Sequence, residues 1–121
     1  MISLKNWSPI ESLLETEERC ARILERRGWS VRRTPLSHDG GVDVIGSRID
    51  EVGIEETIYI QCKDYARPVG ISVVRELIGS LPAGANIRAV LTAPSGVIAE
   101  AGQLAQQRGV IIWDQAKLGE L

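Results

Sequence analysis

The sequence has no long apolar run, few cysteines and no secretion signal. No apolar stretch approaches the ~20 residues that a membrane-spanning helix needs. The N-terminal residues MISLKNWSPIES lack the apolar core of a signal peptide. The two cysteines, Cys20 and Cys62, have no metal-site spacing, and each lies in an apolar-looking segment. These absences predict a cytoplasmic protein with buried, reduced thiols and no membrane partner.

An excess of positive charge is also missing, and this limits how the chain could bind nucleic acid. The formal net charge of the 121 residues is −2, whereas a self-sufficient nucleic-acid binder is usually basic. Any such binding must therefore depend on a local positive patch, a dimer or a partner domain. The length fits one domain with a single core.

Hydrophobic periodicity predicts a mixed α/β fold. The first helix is expected to begin at Ser8-Pro9, a capping residue and a proline suited to the first helical position, and to stop at Gly28. Three predicted strands follow, at 29–34, 42–45 and 58–65, and the last two could pair as a hairpin. Helices and strands then alternate at 72–81, 87–92, 98–108 and 110–113. This alternation favours right-handed crossovers and parallel strands in the second half.

Four polar residues stand where apolar side chains are expected. Glu17 lies in the apolar stripe of the first helix, and Asp43 interrupts the short second strand. Gln61 and Lys63 are two apart, which places them on the same side of the third strand. Carboxylate and amide oxygens suit Mg²⁺ or Mn²⁺, and an adjacent lysine can position an attacking water. Together they indicate hydrolysis of a phosphodiester.

The same residues belong to a series of short motifs in a fixed order. These are Glu17 before Gly28-Trp29, Gly40-Gly41-Val42-Asp43, Gln61-Cys62-Lys63, VGISVVRELIGSL, AVLTAPSGVIAEAGQLA and VIIWDQAKL. Each motif is weak alone, but the order and register are specific. They resemble the nuclease domain of Mrr-type restriction endonucleases, a branch of the PD-(D/E)xK superfamily with Gln-x-Lys in place of acid-x-Lys. The resemblance covers most of the chain, from about Thr16 to Leu118.

The resemblance implies a fold and a domain organisation. The fold would be a restriction-endonuclease-like three-layer α/β/α sandwich with a central mixed β-sheet. Its αβββαβ core would be followed by a C-terminal helix and strand. Residues 1–121 would form a single Mrr-like endonuclease domain, which could be a module of a longer protein.

The resemblance also implies a role for each motif residue. Asp43 would be the metal-binding acid, and Gln61 would be the second ligand through its side-chain oxygen. The backbone carbonyl of Cys62 could add a ligand, Lys63 would be the catalytic lysine, and Glu17 would hold the metal directly or through water. The cofactor would be Mg²⁺, with Mn²⁺ as a substitute. An amide in place of an acid removes one negative charge, so we expect weaker metal binding and a larger part for Glu17.

Four further residues are candidate nucleic-acid contacts: Arg67, Arg75, Arg33 and His38. Arg67 and Arg75 follow the active strand and could each touch a phosphate. Arg33 belongs to a group of arginines that could bind phosphate or simply form a solvated face. His38 is the single histidine, and a solvated loop residue is the simpler interpretation.

Plainer interpretations remain open for the motif residues as well. Asp43 could cap a turn, and Lys63 could be a strand-end lysine that reaches solvent. Glu17 could pair with an arginine, and Glu18 could be the true counterpart of the helix acid.

The function that the resemblance implies is a metal-dependent DNA endonuclease acting in restriction of foreign or modified DNA. Its partners would be DNA and either a second copy, as a homodimer, or a fused recognition domain, because one site cuts one strand. Two alternatives stay open. One is a non-catalytic nucleic-acid-binding module on the nuclease fold, and the other is a structure-selective, junction-resolving nuclease.

Overall fold

The order of secondary-structure elements follows the predicted α/β pattern. The computed structural model describes residues 9–34 and 42–121. Its elements are α1 (Pro9–Glu25), β1 (Ser30–Arg33), β2 (Val44–Ile49), β3 (Glu55–Cys62), α2 (Ile71–Ser80), β4 (Ile87–Thr92), α3 (Ala99–Gln107), β5 (Val110–Trp113) and α4 (Gln115–Glu120). The predicted cap at Ser8 and the Gly40-Gly41 motif lie outside the described residues. None of the described helices is long and apolar enough to cross a membrane.

The five strands form one mixed sheet in the order β1-β2-β3-β4-β5. Strands β1, β2 and β3 pair antiparallel, with Val44 opposite Ile60 in the predicted hairpin. Strands β3, β4 and β5 pair parallel, with Gln61 opposite Leu91. Both the antiparallel first half and the parallel second half are therefore confirmed.

Helices cover both faces of the sheet, which gives the predicted three layers. On one face, buried Cys20, Ile23 and Leu24 of α1 pack against Ile60 and Cys62 of β3. On the other face, α2 packs against β4 and α3 against β5, and the buried residues there include Val74, Leu77, Ala101, Ala105, Ala89 and Leu91. Because side chains alternate along a strand, β3 sends Ile60 and Cys62 toward α1 and Gln61 toward α2.

Several element boundaries differ from the sequence prediction. Strand β2 starts at Val44 rather than Val42 and continues to Ile49, because its hairpin with β3 extends past the apolar residues. Strand β3 ends at Cys62, so Lys63 is the first residue of the loop that follows. Helix α4 was not predicted, since six residues are too few to show a helical period.

Gly28 ends α1 as the sequence predicts. It has a φ of +87°, a left-handed conformation that costs a residue with a Cβ. The chain reverses there through hydrogen bonds from Gly28 N to Glu25 O at 3.1 Å and from Trp29 N to Leu24 O at 3.1 Å. This turn directs the chain from α1 into β1.

Replacing glycine by alanine should have opposite effects on stability at two positions. Gly28→Ala should lower the free energy of unfolding by about 1 kcal/mol, because alanine is strained at positive φ. Gly79→Ala should raise it by about 0.5–1 kcal/mol, because Gly79 is inside α2 and a Cβ there meets no atom within 4 Å. Urea denaturation of both variants checks this, and a shift of the same sign in both would contradict it.

Candidate active site

Asp43 is fixed against the end of β3 by two hydrogen bonds. Its backbone N–H donates to Ile60 O at 2.8 Å, which continues the pairing of β2 with β3. Its carboxylate Oδ2 then accepts a hydrogen bond from the backbone N–H of Cys62 at 2.7 Å. The acid therefore lies beside the residue that separates Gln61 from Lys63, and it forms a bond across strands.

Gln61 is a buried amide with one occupied end. Its side chain is 1% exposed, and Nε2 donates to Glu76 Oε1 of α2 at 3.4 Å. Its Oε1 is also buried, and it receives no hydrogen bond from any residue in 9–34 or 42–121. Because burying a carbonyl oxygen without a partner costs about 1–3 kcal/mol, this position favours an additional donor or a cation.

The types of oxygen atom near the end of β3 suit a hard divalent cation. Asp43 offers a carboxylate and Gln61 an amide oxygen, and both are hard ligands. The described residues contain no group of three or more His, Cys, Asp or Glu side chains that could hold a metal by themselves.

Lys63 immediately follows β3, the strand that contains Gln61. Its backbone N–H donates to Thr92 O at 2.8 Å, so pairing with β4 continues one residue past β3. The side chain is half-buried, and its Nζ lies 5.9 Å from the centre of the Tyr65 ring. The backbone of Lys63 is thus fixed by the sheet at the carboxyl end of β3.

Glu17 is the buried acid of α1. Its side chain is 2% exposed, whereas Glu18 is half-exposed and pairs with Arg22 at 3.4 Å. Oε1 of Glu17 lies 3.5 Å from Nη2 of Arg33. The other terminal nitrogen of Arg33, Nη1, lies 2.7 Å from Oε2 of Glu18. Glu17 therefore pairs with an arginine, as one of the plainer interpretations of this residue predicts. A metal-binding role for Glu17 remains a prediction.

Two thiols join α1 to the active strand. Sγ of Cys20 lies 3.9 Å from Sγ of Cys62 and 3.3 Å from Oγ1 of Thr92. The hydrogen bond from Cys62 lowers the pKa of Cys20, and the same bond, together with burial, raises the pKa of Cys62. The negative charges of Asp43 and Glu17 add smaller contributions to the raised pKa of Cys62. Both cysteines are free and buried, as predicted.

No pattern in the sequence indicated a role for Asp64, the residue after Lys63. Its carboxylate accepts hydrogen bonds from the hydroxyl groups of Ser12 and Thr16, the latter at 3.0 Å. These bonds tie α1 to the loop that begins with Lys63. Glu76 was missed as well. The contacts of Asp64 with α1 and of Glu76 with Gln61 each join segments that are far apart in the chain. The spacing of Ser12 and Thr16 on α1 is the one sequence feature that relates to the contact of Asp64.

The predicted nucleic-acid contacts fall into three groups. Arg67 and Arg75 are exposed and follow β3, in the loop before α2 and on α2 itself. That loop is held to the carboxyl end of the parallel strands by hydrogen bonds from Val69 N to Gly96 O and from Ile98 N to Val69 O, each 2.9 Å long. Arg33 is engaged by Glu17 and Glu18, and His38 lies outside the described residues.

The fold belongs to the restriction-endonuclease-like class. The restriction endonuclease MspJI, solved in complex with a 27-mer oligonucleotide, has a TM-score of 0.67 and 17% identity, over 87% of this chain and 25% of that one. The DNA modification-dependent restriction endonuclease AspBHI has a TM-score of 0.66 and 25% identity, over 98% and 38%. A repair endonuclease from Pyrococcus abyssi has a TM-score of 0.60 and 20% identity, over 90% and 48%. The chain spans about a quarter to a half of these proteins.

The family follows from a match over nearly the whole chain. The chain belongs to the restriction endonuclease family Mrr_cat, whose model matches residues 11–121. No curated protein sequence matches it significantly. The family confirms the resemblance noted in the sequence, and it places the chain in a family of DNA endonucleases.

Two substitutions of Asp43 should separate its structural bond from its charge. Asp43→Ala leaves the buried N–H of Cys62 without its acceptor and should cost about 1–3 kcal/mol of stability. Asp43→Asn keeps an oxygen that can accept this bond and should cost clearly less. Urea denaturation of both variants measures the difference, and equal losses would show that the bond contributes nothing.

Proposed function

We propose that the chain is a divalent-metal-dependent DNA endonuclease domain that hydrolyses phosphodiester bonds at the carboxyl end of β3. The observation that supports this most strongly is the bond between Asp43 and the N–H of Cys62, at 2.7 Å. It fixes a carboxylate beside the backbone of Cys62, the residue between Gln61, whose amide oxygen is buried, and Lys63, which is half-buried. A carboxylate and an amide oxygen can hold a divalent metal ion, and an ammonium can stabilise the charge that grows on the phosphate.

Asp43 and Gln61 are the residues that would hold Mg²⁺ or Mn²⁺, with the carbonyl of Cys62 and the carboxylate of Glu17 as further candidates. When bound, the ion would supply Lewis-acid stabilisation of the phosphate and of the nucleophilic water. Asp43 contributes negative charge, and its bond to Cys62 fixes where that charge lies. Gln61 contributes a neutral oxygen that is already desolvated, so little water must be removed from it on binding.

Lys63 would act on the scissile phosphate and the attacking water. Its ammonium can donate hydrogen bonds to the water and to a non-bridging oxygen, where negative charge grows in the transition state. Backbone pairing with Thr92 keeps it in register with Gln61, so both groups act at the same end of the strand. Partial burial strengthens these charge interactions relative to open solvent.

The biological role that we propose is restriction of foreign or modified DNA in the cytoplasm. Support comes from the family and from the restriction endonucleases that share the fold. The chain spans only part of those proteins, so we assign target choice to a fused domain or a partner. We propose that a double-strand break requires a homodimer or two successive nicks.

Plasmid cleavage should depend on Asp43, Lys63 and a divalent metal. Asp43→Asn and Lys63→Ala should each reduce nicking of supercoiled plasmid in Mg²⁺ or Mn²⁺ by about 100-fold or more, since each removes a charge that acts in the transition state. EDTA should abolish the activity of the wild type. The matched control is Lys117→Ala, which removes an exposed lysine of α4 and should cleave normally.

Other outcomes would favour the alternatives. DNA binding without cleavage by wild type, unchanged in both site variants, would indicate a non-catalytic binding module. Cleavage of four-way junctions in strong preference to linear or supercoiled DNA would indicate a structure-selective nuclease. Undiminished cleavage by Asp43→Asn would contradict the proposed site.

Arg67 and Arg75 should each neutralise a phosphate when DNA binds. Each Arg→Ala change should weaken binding to a DNA duplex and reduce the slope of log K against log salt by about 0.9, the value expected for one phosphate. Arg108→Ala is the control, because Arg108 is exposed just before β5, at the opposite end of the parallel strands. Fluorescence anisotropy at several salt concentrations measures the slopes, and equal slopes for all three variants would exclude these phosphate contacts.

A further inference from the structure

The amide of Gln61 has two chemically different ends, whereas the carboxylate of an acid-x-Lys site has two equivalent oxygens. A carboxylate presents the same oxygen at both ends, whereas an amide presents an oxygen at one end and two N–H donors at the other. If the amide were rotated by half a turn, its donors would face the cation. A site that uses glutamine therefore needs something that selects one orientation.

Glu76 is placed to make this selection. Its Oε1 lies 3.4 Å from Nε2 of Gln61, and a carboxylate can only accept hydrogen bonds. The N–H end of the amide must therefore face α2, which leaves Oε1 as the end available for a ligand. That oxygen is buried, with no hydrogen bond from the described residues.

The surroundings make Glu76 a firm support. Glu76 itself is exposed on α2, so its carboxylate lies at the surface end of this contact. The helix itself is anchored to the sheet by Val74 and Leu77, both 0% exposed. A hydrogen bond from the amide N–H to a carboxylate also polarises the amide toward negative charge on Oε1.

We propose that Glu76 is a positioning residue that turns the Gln61 amide so that its oxygen faces the metal-binding side of the site. This inference rests on the proposed function, because it assumes that Gln61 is a metal ligand. By polarising the amide, Glu76 also increases the negative charge on Oε1 of Gln61, which partly compensates for the missing carboxylate charge. It acts through Gln61 and touches neither substrate nor metal.

Mn²⁺ binding measured by isothermal titration calorimetry tests the proposal without relying on cleavage. Glu76→Ala should weaken binding about tenfold, the usual effect of removing a partner that orients a ligand. Glu76→Gln should stay close to wild type, because its side-chain oxygen can accept the same hydrogen bond. Glu100→Ala, which removes an exposed acid from α3, should bind normally. Equal weakening in Glu76→Ala and Glu76→Gln would overturn the orienting role.

A double-mutant cycle with Gln61→Glu supplies a sharper criterion. A glutamate at position 61 has no orientation to select, and it would face the like charge of Glu76. Adding Glu76→Ala to Gln61→Glu should therefore strengthen Mn²⁺ binding, whereas the same change weakens it beside Gln61. A purely structural role of Glu76 would give the same sign in both backgrounds, and that result would overturn the proposal.

Asp43→Asn separates failure of this inference from failure of the proposed function. If Asp43→Asn loses Mn²⁺ binding and Glu76→Ala keeps it, the metal site stands and the role of Glu76 is wrong. If wild type does not bind Mn²⁺, or if Asp43→Asn binds it equally well, the proposed metal site itself is wrong. Thermal melting of each variant confirms folding, and Ala at an exposed helical position should be well tolerated.

Discussion

The hydrogen bond from the N–H of Cys62 to the carboxylate of Asp43 is the interaction on which the rest of the site depends. It forms just past Val44 and Ile60, the last residues that pair between β2 and β3. The carboxylate of Asp43 there replaces the backbone carbonyl as the acceptor for the N–H of Cys62. Because the donor is the middle residue of Gln61-Cys62-Lys63, the acid is tied to the backbone between the amide and the lysine. Alternation along the strand sets which face Gln61 and Cys62 occupy.

The three-layer architecture supports this tripeptide from both sides. The side chain of Cys62 faces α1 and contacts Cys20, while that of Gln61 faces α2 and contacts Glu76. From α1, hydroxyl groups also bind Asp64, just beyond Lys63. A strand covered on one face alone could not have both Gln61 and Cys62 buried and bonded. The sandwich is therefore part of how the site is built.

Features with local signals could be predicted from the sequence. The positive φ of Gly28, the extents of β4 and β5 and the burial of Glu17 all follow from residue type and spacing. The end of β3 could not be predicted, because Lys63 continues the pairing with β4 although the strand itself stops at Cys62. The bonds of Asp64 and Glu76 connect distant segments, so no pattern within one element reveals them. The roles of Asp43, Gln61 and Lys63 were indicated by their chemistry and implied by the family resemblance, and they remain predictions.

The most direct measurement for the central claim is anomalous diffraction from a crystal of the chain grown with Mn²⁺. The account predicts an anomalous peak bound by a carboxylate oxygen of Asp43 and by Oε1 of Gln61, with Nε2 of Gln61 still directed at Glu76. A peak at another position, or a Gln61 side chain that takes no part in binding the ion, would contradict it.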